Sequence, residues 1–217
     1  MTLNQRYEYA LTAARFLGVK EGSGEHLRIL DIYNSISPLP RGYAVKKDDA
    51  WCAAFVSATA VLSGLGHLLP LECSCGKIIE KAGKMGIWVE NDAYVPQIGD
   101  WVLYNWDAQG DGDDQGASDH VGIIIGVDTE LYVVEGNYNN AVKLRKIPVN
   151  WEKIRGFVCP KYGQQRFHTL DDVPEYARAT VEKLCDDGSL RGIAADDLGL
   201  TEDLIRMLVI LDRRGKL

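Results

Sequence analysis

The stretch DDAWCAAFVSATAVLSGLG, residues 48–66, constrains this chain more than any other. Its Ala, Phe, Val and Leu residues fall on nearly every side of a helix, and a helix apolar all round belongs in a core. Asp48 or Asp49 is placed to cap the start, and Ser63 with Gly64 reads as the stop. A cap there puts Cys52 about three positions on, in the first turn, where the helix dipole and unpaired backbone N–H groups favour a thiolate. The same N–H groups suit the oxyanion that forms when a carbonyl is attacked. The alternative is a cysteine that is simply core.

Around this helix the hydrophobic period changes. Leu3, Tyr7, Leu11, Ala14 and Leu17 recur at helical spacing before Gly18, and a second short helix fits His26 to Tyr33. Segments 98–106, 120–127, 131–136, 142–147 and 154–160 are short, β-branched or aromatic, and separated by Gly, Asp and Asn. They predict an α+β domain over 1–163, with N-terminal helices on an antiparallel sheet of about five strands. Beyond Gln164 two amphipathic stripes, Val173 to Leu184 and Leu204 to Leu211, predict a small helical module over 164–217. That module is expected to dock on something or to pair with a copy of itself.

The charge excludes one class of partner. With 31 acidic and 24 basic residues the net charge is −7, and neither side of Gln164 is basic, so nucleic acid is not expected. No run approaches the ~18 apolar residues of a membrane span. The first residues, MTLNQRYEYALTAARFLG, lack the apolar core of a signal peptide, so synthesis in the cytoplasm is expected. The five cysteines, 52, 73, 75, 159 and 185, form no repeating framework. One reactive thiol among inert ones is expected rather than a disulfide scaffold.

A cysteine nucleophile needs a base. His26 and His67 have no partner in view, and His168 lies between the two parts. His120 opens the strand HVGIIIGV, and the following strand ends in Glu135-Gly136-Asn137. A hairpin through Asp128-Thr129 sets His120 opposite Asn137, with Glu135 its diagonal neighbour; a register shifted by two sets Glu135 opposite instead. Either register puts Glu135 and Asn137 on one face, able to orient an imidazole.

The segments DDAWCAAFVSA, GDWVLYNW, DHVGIIIGV and VVEGNYNNAVKLRKIPV together resemble the CHAP domain (cysteine, histidine-dependent amidohydrolase/peptidase) of the phage endolysin type, from roughly Ala10 to Tyr162. The resemblance implies a papain-like fold and cleavage of an amide bond in bacterial peptidoglycan. It implies Cys52 as nucleophile, His120 as general base and later acid, Glu135 as the group orienting the histidine, and Asn137 as an assisting polar neighbour. It implies action on the wall after a separate protein has permeabilised the membrane. Two other readings are a cysteine peptidase effector acting on a non-wall peptide and an inactive wall-binding protein. Residues from Tyr176 to Gly215 resemble an S-layer homology repeat, which implies attachment to a secondary cell-wall polymer. No cofactor and no metal is expected: the acidic loop 107–119, with Asp107, Asp111, Asp113 and Asp114, lacks EF-hand spacing, and Cys73-Ser74-Cys75 lacks a second ligand pair. Trp88, Tyr94, Trp101, Trp106 and Tyr138 divide between core and a substrate groove, in proportions the sequence does not set.

Overall fold

A computed structural model describes residues 5–91, 94–107, 117–163, 166–193 and 197–217. The chain divides into two compact units, one of Arg6–Tyr162 and one of Gly163–Leu217 with Gln5. Among the described residues there are six α-helices and a six-stranded antiparallel sheet, an α+β architecture. No described helix is long and apolar enough to cross a membrane.

In the larger unit, α1 (Gln5–Ala14), α2 (Gly24–Asn34), α3 (Cys52–Leu62) and α4 (Cys75–Met85) precede most of the sheet. The strands are β1 (Trp88–Val89), β2 (Trp101–Tyr104), β3 (His120–Val127), β4 (Glu130–Glu135), β5 (Lys143–Pro148) and β6 (Ile154–Val158), in the spatial order β1-β6-β2-β3-β4-β5. Strand alternation separates two cores. Trp101, Leu103, Val121, Ile123 and Val134 pack with the helices, whereas Val102, Tyr104, Ile124, Leu131 and Val133 pack on the opposite face with Ile147 and Phe157.

Helix α3 is buried from Cys52 through Ala60, as an all-round apolar helix requires. It starts later than expected, because Asp49 is not its cap. Asp49 instead closes a turn, its Oδ2 accepting from the Lys46 N–H at 2.8 Å and the Tyr43 hydroxyl at 2.8 Å. Trp51 occupies the N-cap position, held by its indole N–H donating to Glu21 at 3.0 Å, and Cys52 becomes the first helical residue. Helix α4 and strand β1 were not expected from the sequence. The signal for α4 is present in Cys75, Ile78 and Ala82, which repeat at helical spacing on its buried side, and in Gly86, which ends it at φ +65°.

Gly136, just past β4, permits the closest approach of helix to sheet. A Cβ there would lie 2.4 Å from Phe55 Cβ, an atom fixed to the α3 backbone. Gly136→Ala is therefore expected to destabilise the protein by about 1–3 kcal/mol, read as a lowered Tm, and to push α3 away from the end of β4.

In the smaller unit β7 (Arg166–Phe167) pairs antiparallel with β8 (Leu200–Thr201), and α5 (Glu175–Asp186) accompanies α6 (Glu202–Arg213). Phe167, Val173, Ala177, Val181, Leu200, Ile205 and Val209 form its core. Thr201 caps α6 by accepting from the Leu204 N–H at 3.3 Å. Asp212 of α6 accepts from Thr180 at 2.8 Å and Lys183 at 2.7 Å of α5, tying the helices together. Tyr176 belongs to the expected apolar stripe but is exposed.

Candidate active site

The hairpin of β3 and β4 determines which side chains can meet. Near its turn Val127 faces Leu131, and after an irregularity between Ile124 and Gly126 the pairing becomes Ile124 to Val133 and Ile123 to Val134. Extended toward the strand ends, this register sets Gly122 opposite Glu135, and His120 becomes the diagonal neighbour of Glu135. Gly122 leaves the necessary room, since a Cβ there would lie 2.7 Å from Glu135 Cγ and 2.4 Å from Val133 Cγ1. His120 Nε2 and Glu135 Oε2 are 3.1 Å apart, and both residues are buried. With Nε2 engaged by the carboxylate, Nδ1 is the ring nitrogen left for a second partner.

That partner is Cys52. The His120 imidazole and the Cys52 thiol come close enough for each to shift the other's ionisation, where the start of α3 meets the start of β3. The Cys75 thiol, 3.9 Å from Cys52 Sγ, also points at it. Donation from Cys75 holds the Cys52 thiol well below the ordinary cysteine range; burial opposes this, and His120 and the Ala53 N–H add to it. Cys75 is pushed the other way, upward, by the same contact and by burial. Burial works against a protonated His120, but its hydrogen bonds to Cys52 and Glu135 raise its pKa to about 9. The site therefore favours a thiolate beside an imidazolium at neutral pH.

Glu135 is fully buried, and burial by itself would raise its pKa, yet bonds from His120 and Arg145 bring it below the usual carboxylate value. Arg145, on β5, donates its Nε–H to Oε1 at 2.8 Å and Oε2 at 3.0 Å. Its guanidinium lies 3.9 Å from the Tyr138 ring centroid and 5.3 Å from that of Trp106. Sequence reasoning did not find Arg145. Its pairing partner on β4 is Val133, one diagonal step from Glu135, a relation that requires knowledge of the β4–β5 register.

Asn137 lies just beyond the end of β4. The chain leaves β4 at Glu135, Asn137 takes a left-handed conformation at φ +58°, and the turn closes with Tyr138 N–H donating to Ala141 at 2.9 Å. The period-two alternation that would have kept Asn137 on the face of Glu135 ends there. Among the described residues Asn137 makes no hydrogen bond to His120. The aromatic residues separate clearly. Trp101 is core and donates to Tyr9 at 2.7 Å; Tyr94 donates to Asp100 at 2.6 Å; Trp88 lies under Arg155. Trp106 is partly exposed and lies 6.0 Å from the His120 ring, with Tyr104 between it and the core, stacked on both Trp106 and His120. Tyr138 is half-buried under Arg145. Asp111, Asp113 and Asp114 of the acidic loop lie outside the described residues. Among the described residues no group of three or more His, Cys, Asp or Glu side chains is arranged to hold a metal ion.

At the start of α3 the N–H groups of Cys52, Ala53 and Ala54 have no carbonyl within the helix, since the first such bond runs from the Phe55 N–H to Trp51 at 2.8 Å. An acidic thiol, an imidazole held by a buried carboxylate and N–H donors with no carbonyl partner in the helix are the parts that acyl transfer through a thioester requires. No curated protein and no solved structure matches the chain. Residues 43–137, which run from the turn before α3 through Cys52, His120, Glu135 and Asn137, match the family model of the CHAP domain, whose members are typically cysteine- and histidine-dependent amidohydrolases or peptidases.

Proposed function

We propose that this protein hydrolyses an amide bond of bacterial peptidoglycan, as an N-acetylmuramoyl-L-alanine amidase or a peptidoglycan endopeptidase. The observation that carries the reading is the buried His120–Glu135 pair set beside the Cys52 thiol at the start of α3. The six-stranded antiparallel sheet with its helices is compatible with a papain-like fold. In this reading the Cys52 thiolate attacks the carbonyl carbon, and N–H groups at the start of α3 hold the oxyanion. His120 gives its proton to the leaving amine and then takes one from the water that frees the acyl group. Glu135 fixes the ring orientation and stabilises the imidazolium, and Arg145 keeps Glu135 ionised.

The endolysin-type resemblance of the sequence supports a role in host-cell lysis, with access to the wall once the membrane is permeabilised. For the smaller unit we propose attachment to a secondary cell-wall polymer, a role supported by its resemblance to an S-layer homology repeat and by exposed Ile193, Met207 and Ile210.

Mass spectrometry of soluble fragments released from purified peptidoglycans of differing cross-bridge type tests the reading, with Cys52→Ala as control. Cys52-dependent fragments support it, and their ends identify the bond. Walls left intact across the panel would overturn it. The pH profile is a second expectation. As pH rises through about 9, His120 loses the proton that the leaving amine needs, so kcat/KM should fall on that limb. The acid limb should lie below the ordinary thiol range, because the Cys52 thiolate persists there. A profile rising steadily through pH 9 would contradict the ion pair.

A further inference from the structure

Cys75 forms and breaks no bond in the hydrolytic steps, and its sulfur lies 3.9 Å from Cys52 Sγ. The two residues are 23 positions apart and begin different helices, α3 and α4, so the juxtaposition is made by the fold and not by local sequence. The other cysteines are placed differently. Cys73 points its thiol at Glu72 Oε1 at 3.8 Å, Cys159 is half-buried with its pKa raised to about 12, and Cys185 belongs to the other unit. A reactive thiol with a second thiol in contact is the arrangement in which oxidation ends in a disulfide rather than continuing to irreversible acids.

We propose that Cys52 and Cys75 form a reversible oxidation site, in which a peroxide converts the pair to a disulfide. The Cys52 thiolate attacks one peroxide oxygen; the S–O bond forms, the O–O bond breaks, and the departing hydroxide is protonated to water, leaving a sulfenic acid. The Cys75 sulfur then attacks the sulfenic sulfur. The S–S bond forms, the S–O bond breaks, and the hydroxide leaves as water with the Cys75 proton. Two thiols have given two electrons to one peroxide. The sulfurs must close from 3.9 Å to about 2.05 Å, a movement confined to the first turns of α3 and α4. Reduction by a thiol restores both groups. That the disulfide silences the enzyme rests on the hydrolase reading above; formation of the bond does not.

The test treats the fully reduced, full-length protein with hydrogen peroxide, alkylates the remaining thiols and maps the peptides by mass. Trypsin leaves 48–77 in one piece, because Lys47 and Lys77 are its nearest sites, so chymotrypsin is used to cut between the two cysteines. A fragment joining Cys52 to Cys75, two hydrogens lighter and separated by dithiothreitol, is the expected result. In Cys75→Ser, Cys52 should instead gain two oxygens that dithiothreitol does not remove. Cys52 of the wild type over-oxidised while Cys75 is recovered alkylated would overturn the proposal, as would a cross-link from Cys52 to Cys73 or no cross-link. A Cys52–Cys75 fragment from a protein that cleaves no wall would leave the oxidation site standing and remove the hydrolase reading.

Discussion

Cys52→Ala should lower fragment release from peptidoglycan by about 10⁴-fold or more, the scale seen when a covalent nucleophile is removed and only binding and oxyanion contacts remain. The change should cost little stability, since alanine is apolar and slightly smaller at a position that packs among Ala and Phe neighbours. A circular-dichroism spectrum like that of the wild type is therefore expected with the loss of activity. The substitution has a second readout at His120. Its pKa of about 9 depends in part on Cys52. Without the thiolate, burial is opposed by Glu135 alone, so the imidazole should titrate lower, as proton NMR of the ring would show. A folded Cys52→Ala protein that still releases fragments would remove Cys52 from the mechanism. An unmoved His120 would mean that the two side chains do not share charge.

Glu135→Gln carries the second large effect. Glutamine keeps the shape but not the charge, so the imidazolium loses its buried counter-ion and the ring loses its preference for donating through Nε2. A drop in kcat of about 10²–10⁴ is expected, with KM nearly unchanged, as for other triads whose carboxylate is replaced by an amide. Stability should fall as well, because Arg145 is left facing a neutral group. Its side chain is 20% exposed, so the cost should be about 1–3 kcal/mol, less than for a fully buried pair broken on one side. Adding Arg145→Met removes the unpaired charge and should return part of the lost Tm without returning activity. Recovery of both in the double variant would show that Glu135 acts only through packing and not on His120.

Several parts of this arrangement are legible in the residues alone. The continuous apolar run after Cys52 dictates a buried helix wherever it lies, and β-branched HVGIIIGV followed by a turn and an alternating partner dictates a hairpin. The observed β3 covers His120–Val127, the residues its composition marks. The irregularity near Gly126 moves the turn by one residue, but the pairing of Ile123 with Val134 is the one that a turn at 128–129 predicts. Strand period therefore determined that Glu135 and His120 share a face. The start of α3 was misplaced because Asp49 found competing donors in Lys46 and Tyr43, and a cap is decided by which N–H groups the local turn presents. Strand alternation does not carry through to Asn137, which lies past the end of β4 in a left-handed conformation that asparagine tolerates well.

What the sequence determined by itself is thus what short-range periodicity can encode: which segments are helix or strand, which side of each is apolar, and which side chains one hairpin brings onto a common face. The tertiary structure alone decided the rest. Cys75 touches Cys52 because α4 packs with its buried side toward the core that α3 enters. Arg145 reaches Glu135 because β5 pairs with β4 in one register. Both contacts depend on how separate elements dock, and that docking is determined by the filling of a shared core, a property of the whole chain that no local pattern specifies.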